Sequence, residues 1–356
     1  MTTNDILQLR LTNQQLIKTK FHNPADVVRW FGAVQSQDYS NAKWGVGQRL
    51  PGATDETLEK AFTDGDILRT HVMRPTWHFV HPSDIRWMLL LTAPRVKAAM
   101  ASYNRKLELD KHVFSKSNAA IAKALQGKTY LTRQELKKIL TGIGIKTDVQ
   151  RLAHLMMEAE LDAIICSGPR RGLQFTYALL AERAPEAKNL TFDEALAEHT
   201  KRYFQSHGPA TVKDFVWWSG LTTSDARKGI EMQKASLSKE VIEGKEYWLF
   251  PSQSLPLPDA AYLLPNYDEY GIAYTEREAF FDPEYNALLN VRGNATFQHL
   301  IVSKGHMIGT WKRTLKKEFV VIEAKFFSKV TSVEIKKVKE AAEKYAAFLN
   351  LKLRLA

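Results

Sequence analysis

Two glutamines, Gln35 and Gln37, lie two residues apart on either side of Ser36 and directly before Asp38. A pair of convergent carboxamides offers hydrogen-bond donors and acceptors without charge, so it can read a base edge, hold a sugar or orient a water. Residues two apart point about 200° apart on a helix but the same way in an extended segment. If the chain is extended here, the pair can form a site. If the chain is helical, the two glutamines are ordinary surface residues without a shared role.

Two histidines flank a turn in the segment 67–80, whose β-branched and aromatic residues predict a pair of strands. His71 precedes the turn at 74–76, and His78 follows it. Alternation along a strand predicts that one of the two points inward. A buried, hydrogen-bonded histidine is the simpler interpretation, and a role in a site stays open.

Two further clusters have a structural interpretation. The segment 263–277 contains Asp268 and Glu269 but matches no hydrolase or kinase motif, so it predicts a structural ion-pair cluster. Trp217 and Trp218 lie on a predicted helix, where aromatic side chains pack in a core more often than they stack on bases.

Basic residues outnumber acidic ones, and the formal net charge of +11 with a pI of about 9.4 predicts a polyanionic partner such as nucleic acid. Arg170 and Arg171 lie at the tip of a predicted hairpin, while Lys312 and Arg313 follow a predicted strand. These four side chains are candidate phosphate contacts, because arginine and lysine neutralise the charge of the nucleic-acid backbone. Solvated surface charge is the alternative for both pairs.

Local signals also predict the elements around the two glutamines. Asn23-Pro24 is typical of a helix start, and this helix is expected to end by Gln35. Two more short helices are predicted within 42–65. Residues 82–109 are predicted to be helical but broken in two by Pro94.

A pattern of helix, turn, helix and hairpin occurs twice. The first copy begins at a capping box of Thr132 and Glu135, and the second at the pair Thr211 and Asp214. Each copy continues into a second helix and two strands joined by a tight turn, which is the layout of a winged helix. The helices and strand pair at the N-terminus are interpreted as a third, degenerate copy.

A proline-rich linker at 251–258 separates these modules from strand candidates and a charged amphipathic helix at 332–349. The sequence therefore predicts an α+β fold of tandem winged-helix modules with a β-rich C-terminal domain and a closing helix. The strand candidates beyond the linker are 290–302, 306–315 and 318–327. The predicted domains are 1–115, which contains the two glutamines, 116–183 and 184–250, which are the second and third winged helices, and 259–356.

Composition argues against several other classes of protein. The single cysteine, Cys166, excludes an intrachain disulfide and fits a reducing cytoplasm. The sequence contains no Cys/His cluster with zinc spacing, so we expect no metal and no cofactor. No apolar stretch approaches the ~18 residues of a membrane span, and the start lacks the pattern of a signal peptide.

An ordered set of motifs resembles a known family across residues 8–350. The matching stretches are "AVQSQD", "LRTHVMRPTWHFV", "GLQFTYALL", "HGPATVKDFVWWSGLT", "LLPNYDEYGIAYTER" and "GTWKR". Together they resemble the AlkZ-like family of bacterial winged-helix DNA glycosylases. The resemblance implies three tandem winged helices and a β-rich C-terminal part that form a concave, basic channel for double-stranded DNA.

The resemblance also implies an activity and its residues. Characterised relatives excise N7-alkylated purines, including purines joined in interstrand crosslinks, and the catalytic glutamines correspond to Gln35 and Gln37. Ser36 replaces the aliphatic residue that is common between them. Asp38 is a rival base, and Arg74, Thr76 and His78 would frame the same channel. We expect a monomer in the bacterial cytoplasm, associated with the nucleoid.

A non-catalytic winged-helix transcription regulator or architectural protein is the alternative. That interpretation predicts a dimer with a sequence-specific recognition helix. The second helices, near 148–160 and 223–233, carry few exposed side chains suited to reading bases, which disfavours it.

Overall fold

The chain begins with four short helices around a three-stranded antiparallel sheet in the computed structural model, which describes residues 1–252, 255–289 and 298–356. The strand order in this sheet is β1-β3-β2. A long helix, α5, leads out of it. The elements are α1 Thr3–Asn13, α2 Pro24–Phe31, β1 Ala33–Gln35, α3 Tyr39–Gly47, α4 Asp55–Asp64, β2 Leu68–His71, β3 Trp77–Val80 and α5 Ile85–Lys106.

The predicted start and end of α2 are confirmed. Asn23 caps the helix by accepting a hydrogen bond from the backbone N–H of Asp26, and Pro24 occupies the first turn. Gly32 ends the helix with a φ of 83°, in a region that glycine enters without the steric cost of a Cβ. The chain therefore passes directly from α2 into β1 and is extended when it reaches Gln35.

The predicted break at Pro94 is wrong, because α5 runs without interruption through it. A proline inside a helix leaves the carbonyl of the residue four positions earlier without its donor. Here that residue is Leu90, whose side chain is 52% exposed, and Pro94 is exposed as well. Water can satisfy the carbonyl on this side, while the opposite face of the helix stays packed in the core.

Both predicted copies of helix, helix and hairpin are present, with the expected capping boxes at Thr132 and Thr211. The first copy adds a short strand, β4, to its hairpin, and the second has the two-stranded sheet β7-β8. The elements are α6 Lys111–Ala124, β4 Leu131–Thr132, α7 Arg133–Gly142, α8 Val149–Leu161, β5 Ile165–Ser167, β6 Thr176–Leu179, α9 Leu180–Arg183, α10 Phe192–His207, α11 Val212–Ser219, α12 Thr223–Met232, β7 Ser238–Ile242 and β8 Lys245–Leu249.

The C-terminal part is a five-stranded sheet with a closing helix, in the order β13-β12-β11-β10-β9. All neighbours are antiparallel except β12 and β13. The first eight residues of the strand predicted at 290–302 lie outside the described residues. The elements are β9 Ala261–Leu264, α13 Glu269–Ile272, a 3₁₀ helix Pro283–Leu289, β10 Leu300–Ser303, β11 His306–Leu315, β12 Phe319–Phe326, α14 Ser332–Phe348 and β13 Lys352–Leu355.

The N-terminal helices and the C-terminal sheet share one hydrophobic core. Trp44 on α3 packs against Tyr345 and Phe348 on α14, with ring centroids 5.1 Å apart in both pairs. Its indole N–H also donates to the carbonyl of Leu263 on β9, at 2.7 Å. The first and last parts of the chain are therefore packed together, and the segment that follows β9 lies against Gln35.

A buried ion pair holds the segment after β9 in place. Arg49 donates two hydrogen bonds of 2.8 Å to the two carboxylate oxygens of Asp268, and both side chains are at most 2% exposed.

We expect Asp268→Ala to lower the free energy of unfolding by about 3–5 kcal/mol, because it leaves a buried guanidinium without its counter-charge. Urea unfolding followed by tryptophan fluorescence measures the change. Glu323→Ala, at an exposed carboxylate, is the control and should stay within about 0.5 kcal/mol; equal losses would contradict the assigned role of the pair.

Candidate active site

The two glutamines lie between a strand and a helix. Gln35 is the last residue of β1, and the N–H of Ser36 donates to the carbonyl of Trp77 at 2.8 Å, one step beyond the β1–β3 ladder. The chain bends at Gln37 and Asp38, and the next helix, α3, starts only after Asp38. The pair is therefore not helical, but the backbone is extended only as far as Ser36.

Both carboxamides contact the turn between β2 and β3. The oxygen of Gln35 accepts from Nη2 of Arg74 at 3.4 Å, and the oxygen of Gln37 accepts from the backbone N–H of Trp77 at 3.3 Å. Gln35 is 6% exposed, whereas Gln37 is open to solvent. Each oxygen keeps a second lone pair. The arrangement thus offers one buried and one accessible neutral acceptor at the same turn.

Arg69 holds the backbone between the glutamines from one side. Its Nε and Nη2 donate to the carbonyl of Ser36 at 3.1 and 2.9 Å. The guanidinium lies between the rings of Trp77 and Phe175, 4.4 and 4.8 Å from their centroids. Burial lowers the pKa of Arg69 to about 10, so it remains charged at neutral pH. Sequence reasoning missed this residue, although an arginine within a buried strand indicates a specific partner.

Glu269 holds the same backbone from the other side. One carboxylate oxygen accepts from the N–H of Gln35 at 3.1 Å. The other accepts from the indole N–H of Trp218 at 2.9 Å and contacts Nε2 of His207 at 3.1 Å. Burial alone would raise the pKa of Glu269, but the hydrogen bonds from His207, the backbone N–H of Gln35 and the indole N–H of Trp218 outweigh it and lower the pKa. The carboxylate of Glu269 is therefore anionic. The sequence predicted a structural ion-pair cluster in the segment 263–277, and this prediction fits Asp268 but not Glu269.

His78 lies behind Gln35 and is neutral. It is 1% exposed, its Nδ1 is 2.9 Å from the carbonyl of Thr76, and it pairs with Gln35 across the sheet. Burial, followed by the nearby charge of Arg74, lowers the pKa of His78 to about 3. His78 is thus unsuited to donate a proton at neutral pH.

The prediction that only one of the two histidines points inward is wrong, because His71 is buried as well. Both faces of this sheet are covered. His71 contacts the carboxylate of Glu160 on α8, which packs against β2 from the second module. Alternation along a strand identifies an inner face only when the other face is open to water.

The other predicted framing residues lie close to the glutamines. Arg74 links Gln35 to the carbonyl of Trp217, at 3.3 Å, and burial lowers the pKa of Arg74. Thr76 is within the same turn, where its N–H donates to the carbonyl of Arg74. Asp38 caps α3, and its two oxygens accept from the N–H and the side chain of Asn41 at 3.1 and 2.9 Å. That engagement makes Asp38 a poor candidate for a base.

The two tryptophans differ in their surroundings. Trp218 is fully buried, as predicted, but Trp217 is 40% exposed beside Arg74. The indole N–H of Trp217 donates to the carbonyl of Ile272 at 2.8 Å, which fixes the ring. Consecutive residues point in different directions on a helix, so one side chain reaches the core while its neighbour borders the site.

The predicted phosphate contacts have unequal access to solvent. Arg170 folds inward over the ring of Phe175, 4.3 Å from its centroid, so it is not the exposed hairpin tip that was predicted. Arg171 is exposed and forms an ion pair with Glu135 at 2.8 Å. Lys312 is exposed. Arg313 is half-buried, and its guanidinium contacts the hydroxyl of Tyr345.

Two cavities lie near these elements. One of about 10 Å³, close to the size of a single water, is bordered by Gln35, Asn41 and Glu269. A larger one of about 420 Å³ lies between α3, β9 and α14, and neither glutamine lines it. The larger cavity is therefore not taken as the reactive site.

The described part of the chain contains no group of three or more His, Cys, Asp or Glu side chains placed to hold a metal ion. Over the same residues, no helix combines the length and apolar character needed to cross a membrane.

Comparison with known proteins identifies the family of the chain. A relative from Streptomyces sahachiroi, named "Interstrand DNA cross-link repair glycosylase", is 25% identical over 319 residues, which are 85% of this chain and 85% of the relative. The solved structure of Streptomyces sahachiroi DNA glycosylase AlkZ has a TM-score of 0.84 at 21% identity, covers 100% of both chains, and shows the fold. The family model "DNA glycosylase AlkZ-like" matches residues 28–348. The chain therefore belongs to the DNA glycosylase AlkZ-like family.

Proposed function

We propose that this protein is a monofunctional DNA glycosylase that hydrolyses the N-glycosidic bond of N7-alkylated purines in double-stranded DNA, including purines joined in interstrand crosslinks. The observation that carries the proposal is the pair of neutral carboxamides of Gln35 and Gln37, which lie outside any helix and accept hydrogen bonds from Arg74 and from the backbone of Trp77. The name of the Streptomyces relative, a cross-link repair glycosylase, supports the same activity.

The positive charge of the proposed substrate explains why neutral glutamine side chains are sufficient to assist cleavage of the glycosidic bond. An N7-alkylated purine is a cation, and the electron pair of the breaking glycosidic bond neutralises it, so the leaving group needs no proton. The neutral state of His78 and the capping role of Asp38 are consistent with a reaction that uses no strong acid. What remains is to stabilise positive charge on the sugar and to place a water.

The two glutamines have different tasks in this proposal. Gln37 is accessible, so its carboxamide oxygen can accept from the attacking water and direct the oxygen atom of that water toward C1′. Gln35 is buried against Arg74 and Glu269, so its position is fixed, and its carboxamide supports the sugar or the lesion. The water loses a proton to solvent after the new C–O bond forms, and an abasic site remains.

The shape around the glutamines favours an open channel over a deep base pocket. The cavity beside Gln35 has a volume of about 10 Å³, far too small for a purine. A glycosylase that acts on a crosslinked purine cannot rotate it freely out of the duplex, because the second strand holds it. An accessible Gln37 at the surface suits a substrate that stays near its helical position.

We also propose that the modules 1–115, 116–183 and 184–250 are tandem winged helices that hold the duplex together with the domain 259–356. The net charge of +11 supports binding to a polyanion, with the exposed Arg171 and Lys312 as the candidate phosphate contacts. The protein would act as a monomer, without a metal or cofactor.

Gln37→Ala tests the activity. Wild-type protein should release N7-methylguanine from duplex DNA in the presence of EDTA and leave abasic sites that alkali cleaves. The substitution should slow release by about 100-fold, since losing one positioned polar group at a reacting centre costs about 2.7 kcal/mol or more. The readout is single-turnover strand cleavage after alkali treatment.

Gln134→Ala, at an exposed glutamine on α7, is the matched control and should leave the rate unchanged. If wild-type protein binds alkylated duplexes tightly but releases no base from any of them, the glycosylase proposal fails and the winged-helix regulator is favoured.

Lys312→Ala tests the duplex contact. If Lys312 neutralises one phosphate, the substitution should weaken binding to all sequences alike and reduce the slope of log K against log salt by about 0.9. Fluorescence anisotropy with an undamaged duplex at several salt concentrations measures the slope. Lys336→Ala, at an exposed lysine on α14, is the control; equal slopes for the Lys312 variant and wild type would remove Lys312 from the interface.

A further inference from the structure

We propose that Glu269 is a positioning residue for Gln35, and that its buried negative charge serves bond cleavage rather than stability of the fold. This inference rests on the proposed glycosylase function. Glu269 itself does not contact the substrate in this proposal, because its side chain is buried.

The hydrogen bonds of Glu269 connect three elements to the glutamine. Its carboxylate accepts from the N–H of Gln35 at the end of β1 and from the indole of Trp218 on α11, and it contacts His207 on α10. Glu269 is the first residue of α13, directly after the cap Asp268, whose own carboxylate is tied to Arg49. The carboxylate therefore cannot shift without disturbing several packed elements.

The negative charge of Glu269 is not neutralised in the way that the charge of Asp268 is. Arg49 donates two hydrogen bonds to Asp268, so that pair is locally neutral. The direct partners of Glu269 are a backbone N–H, an indole N–H and an imidazole. Burial lowers the pKa of His207, so the imidazole is neutral at neutral pH. A net negative charge therefore remains behind Gln35.

Keeping such a charge buried is expensive. The effective cost of removing a carboxylate from water is several kcal/mol, and apolar replacements of buried ion pairs are often neutral or stabilising. Fastening β1 to α13 would need only a neutral acceptor for one N–H. A buried anion at this place would stabilise the positive charge that develops on the sugar near Gln35 during bond cleavage.

Gln35 is held at both ends by opposite charges. Its backbone N–H donates to the anionic Glu269, and its carboxamide oxygen accepts from the cationic Arg74. The main chain and the side chain of Gln35 are thus restrained independently. The remaining lone pair of its carboxamide oxygen therefore has a fixed direction before DNA binds. Loss of the anion would loosen the carboxamide and remove a favourable field at the sugar.

The test is Glu269→Gln, which keeps the shape and one acceptor for the N–H of Gln35 but removes the charge. The single-turnover rate on N7-methylguanine duplex should fall by about 10- to 100-fold, while the Kd for that duplex stays within twofold. Trp218→Phe removes a donor to the same carboxylate without touching the charge or the Gln35 contact, and should slow the reaction much less.

A double-mutant cycle with Gln35→Ala separates positioning from general damage. Because part of the effect of Glu269 passes through the position of Gln35, adding Glu269→Gln to the Gln35→Ala variant should cause a smaller loss of rate than Glu269→Gln causes in the wild type. A fully active Glu269→Gln variant, or losses that simply multiply, would overturn the inference. Such results differ from the failure of the proposed function, in which wild-type protein itself releases no base.

A second measurement does not depend on activity. In Glu269→Ala, hydrogen–deuterium exchange of a peptide covering residues 33–37 should be at least tenfold faster than in wild type or in Trp218→Phe, because the N–H of Gln35 loses its acceptor. Unchanged exchange in that peptide would show that Glu269 does not hold Gln35, and would overturn the inference.

Discussion

Two buried side chains of opposite charge keep the backbone at Gln35 and Ser36 extended between a strand and a helix. Arg69 binds the carbonyl of Ser36, and Glu269 binds the N–H of Gln35. Arg69 comes from β2, and Glu269 comes from a short helix far along the chain. The hydrophobic core that joins the N-terminal helices to the C-terminal sheet brings these elements together, so correct packing of the whole chain is a condition for the site.

Burial determines which groups near the glutamines carry charge. His78 and His207 have lowered pKa values and are neutral. The guanidinium of Arg74 is a strong base and carries a positive charge, while the carboxylate of Glu269, whose pKa is lowered, is anionic; both contact Gln35. This distribution leaves no strong acid facing the pair. It suits a substrate whose leaving group is already a cation, because the proposed reaction then depends on placing a water and stabilising positive charge on the sugar.

The capping signals in the sequence were reliable, because each depends on residues close together in the chain. The cap at Asn23 and the capping boxes at Thr132 and Thr211 act within a few residues, and the corresponding helices are present. The candidate pair Gln35 and Gln37 was also found early. Spacing alone made a shared site conditional, and its catalytic role is what the family resemblance implies.

The α+β class, the two copies of helix, helix and hairpin, and the pair of glutamines could be recognised in the sequence, since these depend on local patterns and on an ordered set of motifs. The surroundings of the pair became visible only in the folded chain. The fold buried both His71 and His78, exposed Trp217 beside the site, let α5 continue through Pro94, and placed the carboxylate of Glu269 on the backbone of Gln35. Burial and partners depend on elements that are distant in the chain, and no local pattern specifies how these pack.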